Sequence, residues 1–175
     1  EDLTHIFCEA CSQQELDTEH AWIDIPEEVQ DKYKYYRSTP LVRAYALEQA
    51  LNTPAHIYFK NESINPLGSH KINSALPQCY YCKQEGTTNV TTETGAGQWG
   101  AALSYAASVF GLSAAVYQVK ISMQQKPYRS LIMRTFGAEV TGSPSMSTRA
   151  GKDIITRDPM HPGSLGTAIS EAVEL

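Results

Sequence analysis

The sequence predicts an α/β protein: a three-layer, open, mostly parallel sheet with crossover helices. Three observations predict it. Short runs rich in β-branched and apolar residues alternate with helical patterns, and glycine or proline punctuates most transitions. A glycine-rich turn, TETGAGQWGA (92–101), joins one such run to an alanine-rich helical pattern. Parallel strands need crossover connections of about a dozen residues or more, which these helical stretches supply.

The elements follow in order. Residues 1–21 are polar, acidic and weakly periodic, and are expected to form an extension lying on a body that occupies 22–175. Pro26-Glu-Glu suits the first turn of a helix running toward Tyr36, because proline has no amide to leave unpaired and the acids favour the positive helix end. Thr39–Val42 is extended, since the residue before a proline avoids the helical region. A helix over Arg43–Leu51 and a strand over His56–Asn61 come next, then a loop with Pro66 and Gly68. The spacing predicts a helix from about Ser69 to Gln84 despite Pro77, and a strand over Val90–Thr92. Beyond the glycine turn, a helix over Gln98–Phe110 stops at Gly111, and Leu112–Val119 is a strand. Helices over Pro127–Phe136 and Ser147–Arg157 flank a strand over Ala138–Thr141, and Ser170–Leu175 again reads as helix.

Composition narrows the function. The chain has 175 residues, 42% of them hydrophobic and 19% charged, as in an ordinary globular domain. Its 19 acidic and 14 basic residues give a net charge of −5, the wrong sign for wrapping nucleic acid or an anionic membrane. No run approaches the ~20 apolar residues of a membrane span, so small-molecule chemistry in the cytoplasm is the expectation. The four cysteines form two C-x-x-C pairs, Cys8/Cys11 and Cys79/Cys82, a spacing that zinc sites use. The second pair lies inside a helical pattern and the first lies far away in the chain, so no metal is expected and the thiols read as incidental.

Two places can carry chemistry. Gly95, Gly97 and Gly100 spell G-x-G-x-x-G between a strand and a helix, where free amides and the helix dipole favour an anion. A dinucleotide cradle also needs an acid at the end of the next strand, and that strand ends in Val119-Lys-Ile121. Glu93, two residues before the first glycine, would repel a pyrophosphate. A smaller anion, such as an amino acid's carboxylate, fits beside a glutamate that moves protons; a plain strand-to-helix turn fits the pattern too. In PLGSHKIN (66–73), Lys71 stands at a helix start, where a permanent positive charge is unfavourable. A lysine that sheds its proton there becomes a nucleophile toward an aldehyde cofactor, whereas one that reaches along the helix to water is inert. His70 is equally ambiguous on its own.

PLGSHKIN, ETGAGQWG, QQKPYR and HPGSLGTAISEA, with WIDIPEEV and TPLVRAYALE, resemble the tryptophan synthase β chain. The resemblance is to its second, divergent branch, which has GQWG where the common branch has GQHG, within the fold-type II pyridoxal-phosphate enzymes. It runs along nearly the whole chain. It implies that Lys71 forms the Schiff base with pyridoxal 5'-phosphate, with His70 against the cofactor. It implies that Glu93 is the acid/base group that helps expel the β-substituent of serine and activates indole. Thr94, Gly95, Ala96, Gly97, Gln98 and Trp99 would form the pocket for the substrate carboxylate, with Gln98 also near the cofactor ring and Ser164 near its phosphate. The implied reaction is β-replacement, joining L-serine and indole to L-tryptophan. The implied partners are those small molecules, a homodimer mate, and an α-type subunit or a complementing C-terminal half.

The sequence also departs from the family. Members are considerably longer, and no GGGSN-type phosphate loop or later Ser or Cys for the pyridine nitrogen is present. The chain therefore reads as an N-terminal portion, a fragment or half of a split enzyme. Leu67 stands where a hydroxyl residue is usual, Ser38 where proline is usual, and Cys8 and Cys11 where the family's extension is apolar or carries proline. A non-catalytic fragment retaining the fold is the alternative from another class. Within the enzymes, the alternative is a related β-eliminating or deaminating enzyme, with a nicotinamide-dependent one behind it.

Overall fold

The computed structural model describes residues 3–175, so the first two residues of the expected extension lie outside the described residues. The rest of the extension includes a short helix, α1 (Glu9–Leu16), which polarity and weak periodicity did not announce. Helix α2 (Glu27–Tyr33) follows Pro26, then β1 (Leu41–Arg43), α3 (Tyr45–Ala50) and β2 (Tyr58–Lys60). Helix α4 (Ile72–Gln84) leads to β3 (Asn89–Thr94), α5 (Gln98–Phe110) and β4 (Ser113–Val119). Helices α6 (Lys120–Gln125) and α7 (Pro127–Thr135), strand β5 (Glu139–Ser143), α8 (Arg149–Arg157) and α9 (Leu165–Glu174) complete the order.

The main sheet is three-stranded, ordered β3-β4-β5, and wholly parallel. Helices α5 and α7 cover one face and α9 the other, which gives the three layers. Strand alternation divides the residues between two cores. Val116 and Val140 face the larger cluster with α4 and α5, whereas Tyr117 and Val119 face Ala168 and Ala172 of α9.

Four differences from the sequence reading have physical causes. Strands β1 and β2 pair antiparallel, Leu41 opposite Lys60, because short α3 turns the chain back beside itself outside the main sheet. Glu48 ties that unit together by accepting from Arg43 Nε at 3.0 Å and from the Ile57 amide at 2.7 Å. Helix α4 starts at Ile72 rather than Ser69, because the preceding residues are held in a side-chain-bonded turn. Strand β3 runs on to Thr94, which places Glu93 on the strand, and α6 arises from a segment, KISMQQ, with no helical periodicity.

Pro77 sits inside α4 without breaking it. Proline offers no amide to the carbonyl four residues earlier, that of Asn73. The gap is filled from α2: Tyr33 Oη donates to the Asn73 carbonyl at 2.5 Å, and Tyr36 Oη donates to Asn73 Oδ1 at 2.8 Å. Burial pushes the Cys11, Cys79 and Cys82 thiols up to about 12.

Tyr33→Phe should leave the part-buried Asn73 carbonyl without its donor and cost about 1 kcal/mol in urea unfolding. In a Pro77→Ala background, which restores the intrahelical donor, the same change should cost markedly less. Equal costs in the two backgrounds would show that the bond to Asn73 is not what Tyr33 contributes.

Candidate active site

The lysine turn is built around Asn65. Its Oδ1 accepts from the amides of Leu67 at 3.0 Å and Ser69 at 3.3 Å, and its Nδ2 donates to the Ser69 carbonyl at 2.9 Å. Gly68 closes the turn at φ +63°, a conformation costly for a residue with a β-carbon. Ser69 Oγ then accepts from the Lys71 amide at 3.4 Å, and Lys71 stands at the N-cap of α4 with helical backbone angles. Its side chain is half-buried and makes no hydrogen bond or ion pair with the described residues, while His70 beside it is exposed. Glu62 braces the turn from below: foremost the Thr39 hydroxyl, donating at 2.7 Å, then Asn65 and Lys60, hold its carboxyl below the usual range.

The glycine turn is built from the end of β3. Thr92 and Thr94 are buried on the α5 side, where Thr92 Oγ1 accepts from Trp99 Nε1 at 2.7 Å and Thr94 Oγ1 accepts from the Gly100 amide at 3.2 Å. Glu93 alternates to the other face, half-buried, in register with Tyr117. The glycines have separate tasks. Gly97 has φ +95°, and a β-carbon there would lie 2.7 Å from Arg129 Cβ and 3.2 Å from Gln118 Nε2. Gly100 allows α5 to lie on the sheet, since a β-carbon would meet Met133 Sδ at 2.6 Å and Val116 Cγ1 at 2.8 Å. Gly95 faces Leu165, at the start of α9.

The two turns meet at one end of the molecule. Tyr80, late in α4, stacks edge-on against Phe110 at the end of α5 with centroids 5.9 Å apart, so the packed helices run parallel and their starts lie together. Arg129 spans the starts: its stem packs on Gly97, and its Nη1 approaches the Leu67 carbonyl at 3.5 Å. Gln118, fully buried, accepts from Ser130 Oγ at 2.8 Å, while its Nε2 faces the glycine turn without a partner among the described residues.

The structure thus brings together Lys71, Thr94, Gly95, Ala96, Gly97, Gln98 and Trp99, with Glu93 at the strand end. Gln98 is exposed at the first turn of α5, whereas the Trp99 indole is anchored back to Thr92. Ser164 caps α9, its Oγ accepting from the Thr167 amide at 3.2 Å, one residue from the leucine that faces Gly95. Sequence reasoning missed Asn65, Gln118 and Arg129. The signals were an asparagine ahead of a Leu-Gly-Ser turn, a glutamine inside the apolar run SAAVYQV, and the arginine of QQKPYR, which served only as a family marker. Two surface depressions, one lined by Glu48 and Pro54 and one by Arg149 and Ile169, include neither Lys71 nor the glycine turn.

A family model described as pyridoxal-phosphate dependent enzyme matches residues 33–162. The chain is 54% identical over 174 residues to tryptophan synthase beta chain 2 of Aquifex aeolicus, covering 99% of this chain and 40% of that protein. It is 53% identical over 175 residues to tryptophan synthase beta chain 2 of Thermotoga maritima, covering 100% of this chain and 41% of that one. The chain therefore spans about 40% of the length of these relatives. Among solved structures, a pyridoxal 5'-phosphate-dependent aspartate racemase superposes with TM-score 0.56 at 23% identity over 78% of this chain and 45% of its own, a likeness of fold.

Alanine normally stabilises a helix over glycine by about 1 kcal/mol. Gly100→Ala should do the reverse and lower unfolding free energy by about 1–3 kcal/mol through overpacking against Met133 and Val116. Glu62→Gln should lower stability at neutral pH. Its folded carboxyl lies below the ordinary value, so its contribution is present above the carboxylate range and fades as pH falls; urea midpoints of wild type and variant should converge on acidification.

Proposed function

The chain belongs to the pyridoxal-phosphate dependent enzymes, and on that premise we propose that it carries part of the active site of a tryptophan synthase β-type enzyme. That enzyme joins L-serine and indole to L-tryptophan by β-replacement. The observation that carries the proposal is the meeting of a lysine at one helix start with a glycine turn at a parallel helix start. Both present free backbone amides toward the same end of the sheet.

The residues present fit the cofactor's aldehyde and a substrate's carboxylate. Lys71 is a half-buried side-chain amine that makes no ion pair among the described residues, so it is available to an aldehyde carbon. The 94–99 turn offers amides at the start of α5, with left-handed Gly97 turning the backbone so that a carboxylate can approach. The buried Gln118 amide nitrogen behind Gly97 adds a donor to the same end. When bound, pyridoxal phosphate supplies the electron sink for chemistry at an amino acid's β-carbon. The chain's own groups bind and move protons. Glu93, on the strand face opposite Thr94, gives a proton to the departing hydroxyl of serine and takes one from indole. His70 and Gln98 would hold the cofactor's ring, and Ser164, the N-cap of α9, would bind its phosphate. The partners are small molecules, a homodimer mate, and the further portion that the longer relatives carry, with an α-type subunit.

Incubating the chain with pyridoxal 5'-phosphate and reducing with borohydride should place a single phosphopyridoxyl group on Lys71, detected by peptide mass, and none on Lys71→Ala. Labelling spread over several lysines would remove Lys71 from the site. In a longer chain completed with the missing portion, Glu93→Gln should keep that labelling and lose serine-plus-indole turnover by about 10²–10⁴-fold. Undiminished turnover would take Glu93 out of the mechanism.

A further inference from the structure

The two cysteine pairs, distant in sequence, meet in the fold. Cys8 is the N-cap of α1 and Cys11 lies one turn on, while Cys79, Cys82 and Glu85 follow one another at three-residue spacing along one side of α4 and past its end. Glu85 makes the junction: its carboxylate accepts from the amides of Glu9 and Ala10, each at 2.9 Å, and so clamps the start of α1 against the end of α4. The clamp sets the Cys8 thiol beside those of Cys11 and Cys82 and beside Glu85 itself. Cys79 lies one turn deeper on the same stripe, with no exposed surface.

We propose that Cys8, Cys11, Cys79 and Cys82 bind one soft divalent cation of the Zn²⁺ class, which pins the N-terminal helix to α4. The separation in sequence that argued against a shared site is removed by the fold. Two C-x-x-C pairs delivering four sulfurs from two packed elements are the ligand set that structural zinc uses. Apolar packing alone explains a buried Cys79, but it gives no reason for the half-exposed Cys8, Cys11 and Cys82 to gather at one contact. Among the described residues no three such side chains already surround one point. Binding therefore turns the thiols inward by rotamer changes, which are fast at half-exposed positions, and displaces their protons. The four thiolates would leave the site negative, and the positively polarised start of α1 lies on that side to offset part of the charge. Glu85 stays with those amides and is not a ligand.

The test is anaerobic titration of the reduced chain with Co²⁺, followed by displacement with Zn²⁺. One equivalent should raise an intense near-ultraviolet thiolate-to-cobalt band with visible tetrahedral bands, and Zn²⁺ should abolish both. Cys8→Ser/Cys11→Ser, which alters only the peripheral helix, should lose the four-sulfur spectrum while its circular dichroism stays that of the parent. Zn²⁺ at 100 times its Kd should slow proteolysis within residues 3–16 about 100-fold in the parent and leave that variant unchanged. The proposal is overturned by the absence of a thiolate band at stoichiometric metal, by a band that survives loss of the first pair, or by recovery of a metal-free chain lighter by two hydrogens per cysteine pair, which would assign disulfides instead.

Discussion

The parallel packing of α4 along α5 is the constraint on which the rest of the arrangement depends. A helix start is where backbone amides lack partners, and a ligand site gains from two such starts only if they lie at the same end. Small residues make the close approach feasible: Ala75 on α4 meets a flank of α5 rich in Ala101, Ala102 and Ala106, all fully buried. The sheet beneath fixes the level of α5, and α7 sets Arg129 across both starts. Were the helices antiparallel, Lys71 would stand at the opposite end from the glycine turn.

Much of this was legible in the residues. The alternation of β-rich runs with helical patterns yields the parallel three-stranded sheet, because β3, β4 and β5 are flanked by strong punctuation at Gly111 and Gly137. The antiparallel β1–β2 pair was not legible, since its direction is set by how short α3 returns the chain. Helix α6 was hidden for a related reason: it is held by its place after β4, where the Ile121 amide donates to the Pro162 carbonyl, and not by its own pattern. On the site side, Lys71 and Glu93 stood out as residue types in a telling context. Asn65, Gln118 and Arg129 did not, because their roles exist only once segments far apart in sequence come together.

The glycine pattern shows why a motif needs its surroundings. The same three letters serve a nucleotide cradle and this turn, but here Gly97 makes the bend and yields space to Arg129, while Gly100 sets how closely α5 approaches Met133 and Val116. The acid that would hold a ribose is missing, and a different acid, Glu93, occupies the strand face turned away from α5. The spacing encodes a tight strand-to-helix connection; what it binds is decided by the side chains around it.

Helix α4 carries a consequence for how the protein folds. Its hydrogen-bond ladder has a gap at Asn73, and the donor that fills it, Tyr33, lies 40 residues earlier. The first turn, which presents Lys71, therefore gains full stability only when a long loop has closed and α2 has docked, so a nascent α4 is a poorer helix than its length suggests. Local order and long-range closure arrive in one cooperative step. The chain therefore does not fix Lys71 at the start of α4 before the surrounding body exists.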